Sequence, residues 1–315
     1  MMIEVKNLTK RYGDFVAVED VSFEVDKGEV VGFLGPNAAG KTTTMRILTG
    51  YLSPTEGSVA IDGHDVVENS LEARRLIGYL PETVPLYLDM TVEAYLDFMG
   101  KIRGMNASYR ADRINYVIDR MRLHEYRNTF ISKLSKGYRQ RTGLSQAILH
   151  EPEVLVLDEP TVGIDPGQVV ETRQLIKELG EDHTIILSTH ILPEVSMVCQ
   201  KVIIIHEGQI IAVDTQENLS QHLQSAERVE VEIRGPHNEV MKALRDLSGT
   251  QGVTSVDSDD RAVYTVTARR DADLREEIAS VVIQHGWGLL RLNPIGLSLE
   301  EVFIRLTSGG EEEEE

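Results

Sequence analysis

The chain has 315 residues, a length that suggests about two domains, and its 41% hydrophobic and 26% charged residues are typical of a soluble globular protein with an ample core. Its formal net charge of −19 argues against nucleic acid or anionic lipid as a main partner, because both select basic surfaces. The chain has no apolar run long enough for a membrane-spanning helix and no signal-peptide layout at its start, so we expect it in the cytoplasm. Cys199 is the only cysteine, which excludes a disulfide within one chain.

Strand-like and helix-like segments alternate from residue 1 to about residue 215. This alternation predicts an α/β fold with a parallel sheet. Strand signals fade between residues 91 and 150, where amphipathic segments predict a helical insertion of about 85–150. We place this first domain at residues 1–220. Its short β-rich runs are 59–61, 154–157, 184–187 and 202–205.

The segment 35–43 is expected to bind phosphate, because it fits the pattern G-x-x-x-x-G-K-[ST] between a strand-like run and a helix-like stretch. Its backbone N–H groups and the helix N-terminus would face an anion. Lys41 is expected to reach the terminal phosphates of a purine nucleotide, and the Thr42 hydroxyl to ligate Mg²⁺. A Gly-rich turn without a ligand is the alternative. The expected nucleotide contacts here are Gly35, Pro36, Asn37, Ala38, Ala39, Gly40, Lys41, Thr42 and Thr43.

A second helix start, at residues 134–141, also has features of an anion site. Ser135 is a good N-cap, and Gly137 leaves backbone N–H groups uncovered. From this pattern alone, an ordinary capped helix start is the simpler interpretation.

Polar residues follow two further apolar runs. Because ligands of open parallel sheets lie outside the carboxyl ends of the strands, Asp158 and Glu159 should face the same crevice as the phosphate loop. We assign Asp158 to Mg²⁺ and Glu159 to the attacking water, as base or orienting group. His190 ends the run 184–189, and a hydrogen bond from it to the γ-phosphate is expected. The alternatives are an acidic turn and a structural histidine.

The character of the chain changes after residue 218. Residues 229–233 alternate apolar and acidic side chains, as a half-buried strand does, and the segments that follow complete the order βαββαβ. This order predicts an α+β ferredoxin-like domain at residues 226–307, which we expect to be regulatory or to support dimerisation. Residues 298–301 form a capping box before a last short helix, and the glutamate run predicts a disordered acidic tail at 308–315.

Five segments in this order make the chain resemble the ATP-binding subunits of ABC transporters over about residues 2–215. The resemblance implies a P-loop NTPase of the ABC ATPase type, with a mixed sheet core and a helical subdomain. Within the family the chain is most similar to single-cassette exporter ATPases of the bacterial drug-resistance and gliding-motility type. Those often carry a small C-terminal domain that ends in a segment like Leu-Glu-Glu-Val-Phe, here residues 299–303. The five segments are 35–43, 134–141, 158–161, 163–166 and 188–190.

The resemblance implies roles that spacing alone does not show. Tyr12 would stack on adenine, although a tyrosine before a glycine turn is by itself more often structural. Two copies of the chain would pair head to tail, so that Ser135 and Gly137 of one copy close over the ATP held by the other, with Asp165 at the seam. The segment after Glu82 and the helical insertion would contact an integral membrane permease, which would hold the protein on the inner face of the membrane.

The chain departs from the pattern of the family at three places. Ala38 stands where glycine is common, and it is tolerated if its φ is negative. Lys136 and Tyr138 replace the first glycine and the glutamine of the usual Leu-Ser-Gly-Gly-Gln. Glu82 stands where glutamine is usual, and an ionised glutamate accepts hydrogen bonds but donates none. We expect Glu82 to bind Mg²⁺ directly or through water.

The leading hypothesis is an ATP-hydrolysing subunit that powers an exporter, with Mg²⁺ bound and with Lys41, Glu159 and His190 as catalytic groups. The alternative is a soluble, non-transport ABC ATPase that acts as a regulator or assembly factor. Such proteins usually carry two cassettes or a long coiled-coil insertion, and this chain has neither. A third hypothesis, suggested by Glu82, is a nucleotide sensor with feeble hydrolysis.

Overall fold

A computed structural model describes residues 1–222, 228–258, 261–269, 273–295, 301 and 303–304. The chain divides into two compact units, Met1–Gln216 and Glu217–Glu315. Residues 298–300 of the predicted capping box and the predicted acidic tail at 308–315 lie outside the described residues. Within the described parts of the chain, no helix has the length and apolar character needed to cross a membrane.

The first unit is built from ten strands and seven helices. The strands are β1 (Ile3–Tyr12), β2 (Phe15–Val25), β3 (Val30–Leu34), β4 (Glu56–Ile61), β5 (His64–Asp65), β6 (Ile77–Leu80), β7 (Val154–Asp158), β8 (Thr184–Thr189), β9 (Lys201–His206) and β10 (Gln209–Thr215). The helices are α1 (Lys41–Leu48), α2 (Ser70–Arg75), α3 (Val92–Ile102), α4 (Ala107–Arg120), α5 (Lys136–Ile148), α6 (Pro166–Leu179) and α7 (Leu192–Val198). Helix α8 (Gln216–His222) crosses the boundary between the units.

Two sheets form the core of this unit. The larger one has the order β10-β9-β3-β8-β7-β6, and it is parallel except for β10. Every residue of β3, β7 and β8 is buried, as expected for parallel strands covered on both faces. The smaller sheet, β2-β1-β4-β5, is antiparallel. The predicted α/β fold with a mixed sheet core is therefore confirmed.

One strand differs from the expectation. The alternation of segments grouped residues 59–61 with the parallel sheet, whereas β4 pairs antiparallel with β1 in the smaller sheet. The reason is long-range: β1 and β2 form a hairpin whose free edge accepts β4, and no local sequence pattern records which edge a strand joins.

The predicted insertion is helical. It lies between β6 and β7 and consists of α3, α4 and α5, which begin after the N-caps Thr91, Asn106 and Ser135. Each cap side chain accepts a hydrogen bond from the backbone N–H three residues on, which satisfies one unpaired donor at the helix start. Buried Arg113 of α4 donates to the carbonyl oxygens of Ile148 and Leu149, so it ties α4 to the end of α5.

The parallel strands position the functional residues. Strands β3, β8 and β7 run in the same direction, so the residues that follow them lie along one edge of the sheet. Those residues are Gly35 after β3, His190 after β8 and Glu159 after β7. Strand β6 ends at the same edge and leads to Glu82.

The second unit contains a single described sheet. Its strands are β11 (Arg228–Arg234), β12 (Thr250–Ser258), β13 (Arg261–Ala268) and β14 (Gly288–Ile295), and its helices are α9 (His237–Arg245) and α10 (Arg275–Gln284). The antiparallel order β12-β13-β11-β14 and the chain order βαββαβ agree with the predicted ferredoxin-like domain. Alternate residues of β11 and β13 pack on α9 and α10 in a separate hydrophobic core.

A largely buried histidine makes the first unit sensitive to acid. His150 Nε2 lies 3.1 Å from the carbonyl oxygen of Ile77, and its Nδ1 is buried without a hydrogen-bond partner among the described residues. Burial, assisted by the charge of Arg103, lowers the pKa of His150 from its usual 6.5 to about 4. Burial also lowers the pKa of His183. Both imidazoles are therefore neutral in the folded state at pH values where the unfolded chain is already protonated.

We expect the free energy of unfolding to fall as the pH drops from 6.5 towards 4. In this window the unfolded state binds more protons than the folded state, and the depressed pKa of His150 corresponds to a loss of about 3 kcal/mol. Urea denaturation followed by circular dichroism at pH 7 and pH 4.5 measures this loss. His150→Gln keeps a donor for Ile77 and should reduce the difference between the two pH values. An unchanged difference would show that His150 is not its source.

Candidate functional site

The phosphate loop joins β3 to α1 and depends on two glycines. A Cβ atom at Gly35 would lie 2.3 Å from the carbonyl oxygen of Ile205, so this position admits no side chain. Gly40 has a φ of 102°, and a Cβ there would lie 2.7 Å from the carbonyl oxygen of Ala17. The N–H groups of the first turn of α1, which starts at Lys41, therefore open towards the cleft, where an anion can bind them.

Ala38 corrects an expectation. Its φ is +66°, in the left-handed region, whereas the sequence interpretation tolerated alanine here on condition that φ is negative. The loop must reverse direction between β3 and α1, and this backbone conformation accomplishes the turn at position 38. Since a Cβ atom in this region clashes with the following carbonyl oxygen, Ala38 strains the loop by roughly 1–2 kcal/mol.

Ala38→Gly should therefore stabilise the protein by about 0.5–1 kcal/mol, because relief of the clash exceeds the entropy that glycine adds to the unfolded chain. The free energy of unfolding without nucleotide measures the effect. Ala39→Gly is the matched control: Ala39 is buried and has no positive φ, so this change should destabilise the protein. Equal effects of the two substitutions would contradict the strain at Ala38.

Lys41 extends from the start of α1 into the loop. Its Nζ donates hydrogen bonds to the carbonyl oxygens of Gly35 at 2.9 Å and Pro36 at 3.0 Å. The same ammonium lies 3.3 Å from Oε1 of Glu159, and both side chains are buried. A lysine has three donors and one compact charge, so Lys41 can exchange these contacts for oxygens of a terminal phosphate without leaving the cleft.

Asp158 has the environment of a magnesium ligand. Its Oδ1 accepts hydrogen bonds from the hydroxyls of Thr42, at 3.3 Å, and Ser188, whereas its Oδ2 is buried without a partner among the described residues. Burial raises the pKa of Asp158, and the nearby charges of Glu159 and Glu82 add to the rise. An unpaired buried carboxylate oxygen beside a threonine hydroxyl is a hard-oxygen donor set that fits Mg²⁺.

The candidate magnesium ligands would not hold a metal ion by themselves. Among the described residues, no three His, Cys, Asp or Glu side chains cluster in a way that could hold a metal ion. Mg²⁺ is usually bound by one or two carboxylates together with substrate phosphates, so Thr42, Asp158 and Glu82 fit a metal that arrives with a nucleotide. Glu82 is exposed on the wall of the cleft.

Glu159 and His190 form a pair above the loop. His190 Nδ1 lies 3.0 Å from both carboxylate oxygens of Glu159, and the backbone N–H of Glu159 donates to Ser188. Glu159 has a φ of +48°, which turns its side chain out of the direction of β7 into the cleft. A buried carboxylate between an imidazole and an ammonium is placed to accept a proton from water, while exposed His190 can reach a phosphate.

Two aromatic rings lie at the mouth of the same cleft. Tyr12 and Phe15 face each other across the β1–β2 turn, and both are exposed. The sequence interpretation identified Tyr12 and missed Phe15; a second aromatic three residues after the first, in the same turn, was the available signal. The cleft has a volume of about 630 Å³. Its lining residues are Tyr12, Phe15, Ala17, Asn37, Ala38, Gly40, Lys41, Thr42, Thr43, Glu82, Glu159, Val162 and His190.

Three predicted site residues lie elsewhere in the same chain. Ser135 caps α5 and accepts a hydrogen bond from Gln168 Nε2 at 3.4 Å, and Gly137 is buried against the same Gln168 side chain. Asp165 precedes α6. None of the three is among the described residues that line the cleft. Gly35, Pro36 and Ala39 shape the loop from behind and do not line the cleft either.

The comparisons with known proteins agree with this geometry. A family model described as "ABC transporter" matches residues 18–162. The chain is 30% identical over 307 residues to the linearmycin resistance ATP-binding protein of Bacillus subtilis, covering 97% of this chain and 98% of that protein. It is 31% identical over 312 residues to the bacitracin transport ATP-binding protein of Bacillus licheniformis, covering 98% of each.

Solved structures show the same fold. One is an ATP-binding subunit of an ABC transporter, with a TM-score of 0.64 and 31% identity over 70% of this chain and 93% of that one. Another is a dimeric ATP-binding cassette in a post-hydrolysis state with ADP and Pi bound, with a TM-score of 0.61 and 26% identity over 68% of this chain and 98% of that one.

Proposed function

This chain belongs to the ABC transporter family as an ATP-binding protein, and we propose that it is the ATPase of an exporter, working as a head-to-tail homodimer on a separate membrane permease. The observation that carries the proposal is the arrangement of Lys41, Glu159 and His190. Their contacts of 3.3 Å and 3.0 Å bring a cation, a carboxylate and an imidazole together, which supports a site for a terminal phosphate and its attacking water.

The catalytic groups act mainly by position and charge. Lys41 would hold the terminal phosphate and stabilise charge as the phosphoryl group transfers. Glu159 would accept the proton of the attacking water, and His190 would orient Glu159 and donate a hydrogen bond to the γ-phosphate. When bound, Mg²⁺ supplies positive charge to the phosphate oxygens, and Thr42, Asp158 and Glu82 are the residues that would hold it. Tyr12, with Phe15, would stack on adenine.

The proposed homodimer is supported by expected nucleotide contacts that do not line the cleft of their own chain. Ser135 and Gly137 lie at the start of α5, and Asp165 lies before α6, so a second copy would bring such groups over the ATP. The dimeric cassette with ADP and Pi, which the chain resembles, supports this arrangement.

A second cleft, of about 680 Å³, is our candidate surface for the permease. Arg74, Arg75 and Arg103 line it, and none of them has a carboxylate within 4.0 Å among the described residues. Exposed Tyr51, Leu71 and Ile102 lie in the same wall. Arginines without a carboxylate partner, beside exposed apolar side chains, are typical of a docking surface. This cleft adjoins α3 and β6, the strand that leads to Glu82.

Docking there would place the protein at the inner face of the membrane without a membrane-spanning helix of its own. Two of the relatives are named for linearmycin resistance and bacitracin transport, so we propose drug-like molecules as the cargo class. Selection of the cargo would be a property of the permease.

Steady-state ATP hydrolysis tests the proposal, with the purified protein alone and with its permease in lipid vesicles. We expect Mg²⁺-dependent hydrolysis, a nucleotide-dependent dimer in analytical ultracentrifugation, and stimulation by the permease that the double variant Arg74→Glu/Arg75→Glu abolishes. Retained basal hydrolysis in that variant is the control for an intact site. Affinity purification from cells that recovered ribosomes and no membrane protein would favour the soluble regulator instead.

A further inference from the structure

A buried carboxylate outside the cleft contacts both sides of the catalytic pair. Glu194 lies in α7, four residues after His190, and is 1% exposed. It does not line the cleft and has no part in the chemistry described above. Burying a carboxylate is unfavourable unless hydrogen bonds and a cation compensate it, so its partners indicate what it is for.

Two of these partners are threonines that flank the catalytic residues. The Thr161 hydroxyl donates to Oε1 of Glu194, and the Thr189 hydroxyl donates to Oε2 at 2.9 Å. Thr161 is the second residue after Glu159, and Thr189 immediately precedes His190. One carboxylate therefore holds the segment that carries the base and the segment that carries the imidazole.

The third partner is Arg173, whose Nη2 lies 3.5 Å from Oε1 of Glu194. Arg173 belongs to α6, the helix that begins directly after Asp165. Its guanidinium compensates the buried negative charge and extends the network to a third segment.

Helix α7 is itself firmly seated. A Cβ atom at Gly32 would lie 2.7 Å from a methyl group of Val195, the neighbour of Glu194, so α7 packs directly on the backbone of β3. Since β3 delivers the phosphate loop, Glu194 is fixed relative to the loop as well as to the two threonines.

We propose that Glu194 is a positioning residue that holds Glu159 and His190 in register with each other and with the phosphate loop. This inference rests on the proposed ATPase mechanism. Small displacements of a base from its water reduce the rate of chemistry strongly, whereas Lys41 and the loop would still bind the nucleotide. Loss of the network should therefore lower kcat and leave KM for ATP nearly unchanged.

The test compares isosteric changes at two buried threonines. Thr161→Val removes the hydroxyl that contacts Glu194 and keeps the shape of the side chain. Thr172→Val is the matched control, because Thr172 is 1% exposed and its hydroxyl has no partner among the described residues. We expect Thr161→Val to lower kcat about tenfold to hundredfold, and Thr172→Val to leave it unchanged. In Glu194→Gln the amide oxygen can accept from one threonine hydroxyl, and the amide nitrogen can donate to the other if that hydroxyl rotates. We therefore expect a kcat between those of Thr161→Val and the wild-type protein.

Two further measurements separate positioning from loss of structure. Thermal unfolding and binding of a non-hydrolysable ATP analogue should be similar in Thr161→Val and Thr172→Val. In the Glu159→Gln background, Thr161→Val should cause no further loss of residual hydrolysis, because the base that it positions is gone. Equal kcat in the two valine variants would overturn the inference about Glu194 but not the proposed function. So would a loss of kcat/KM in Thr161→Val that comes entirely from a rise in KM. Absence of hydrolysis by the wild-type protein and its permease would overturn the proposed function with it.

Discussion

Glu159→Gln is expected to lower the kcat for ATP hydrolysis by about 10²–10⁴-fold while ATP still binds. The amide keeps the size of the side chain and can still contact His190, but it cannot accept a proton from water. Binding of ATP is retained because Lys41 and the loop amides remain in place. The 3.3 Å contact between Lys41 and Glu159 is not one of the proposed contacts with phosphate, so its loss should not weaken binding. Steady-state hydrolysis and equilibrium binding of ATP measure the two properties separately.

The same variant has a consequence for assembly. If hydrolysis opens the homodimer, ATP should hold Glu159→Gln as a dimer in gel filtration, whereas the wild-type protein returns to monomers. Glu153→Gln is the control for an acidic residue outside the site, since Glu153 pairs with Lys27 at the surface and should show wild-type turnover. Hydrolysis at the wild-type rate in Glu159→Gln would remove Glu159 from the mechanism.

Lys41→Ala is expected to fail at an earlier step, with ATP affinity reduced by at least about 100-fold. In the proposed mechanism the side chain would supply more than one charge-assisted hydrogen bond to phosphate, each of which contributes about 1.5–3 kcal/mol. Its removal also leaves Glu159 without the ammonium beside it. Fluorescence titration with a labelled ATP analogue measures the affinity directly, without any need for turnover.

A surface lysine provides the comparison. Lys27→Ala removes an exposed ammonium that pairs with Glu153. Lys27 precedes β3, whereas the loop follows the other end of that strand, so this variant should bind ATP as the wild-type protein does. Lys41→Ala with normal affinity and low kcat would instead assign Lys41 to the chemical step alone. The two predictions therefore have opposite signatures: Glu159→Gln keeps binding and loses turnover, and Lys41→Ala loses binding first.

Local patterns predicted most of the residues that line the candidate cleft. The residues of the loop 35–43 are contiguous, so a local pattern can predict its geometry. Asp158 ends β7 and His190 follows β8, so both lie at the edge of the sheet where the parallel strands end. The order βαββαβ likewise predicted the architecture of the second unit, and its central strands β11 and β13 alternate buried and less buried residues.

The remainder depends on contacts between distant residues. The sign of φ at Ala38 follows from how the loop turns between β3 and α1, and not from the residue itself, which would favour a negative value. Phe15 is an exception, because its signal was local: it pairs with Tyr12 across the short β1–β2 turn and was missed. Glu194 meets Thr161 across 33 residues of sequence, and a lone glutamate in a short helix gives no sign of such a partner.

The backbone at Glu159 has an implication for protein engineering. A non-glycine residue at a φ of +48° is held in a conformation that costs roughly 1–2 kcal/mol, and the chain keeps it at the centre of its chemistry. Selection for thermostability alone would therefore favour glycine at this position, and the most heat-resistant clones would be inactive. Thermal stability and turnover therefore conflict at this one residue, and a stabilised version of this protein needs its stabilising substitutions at other positions.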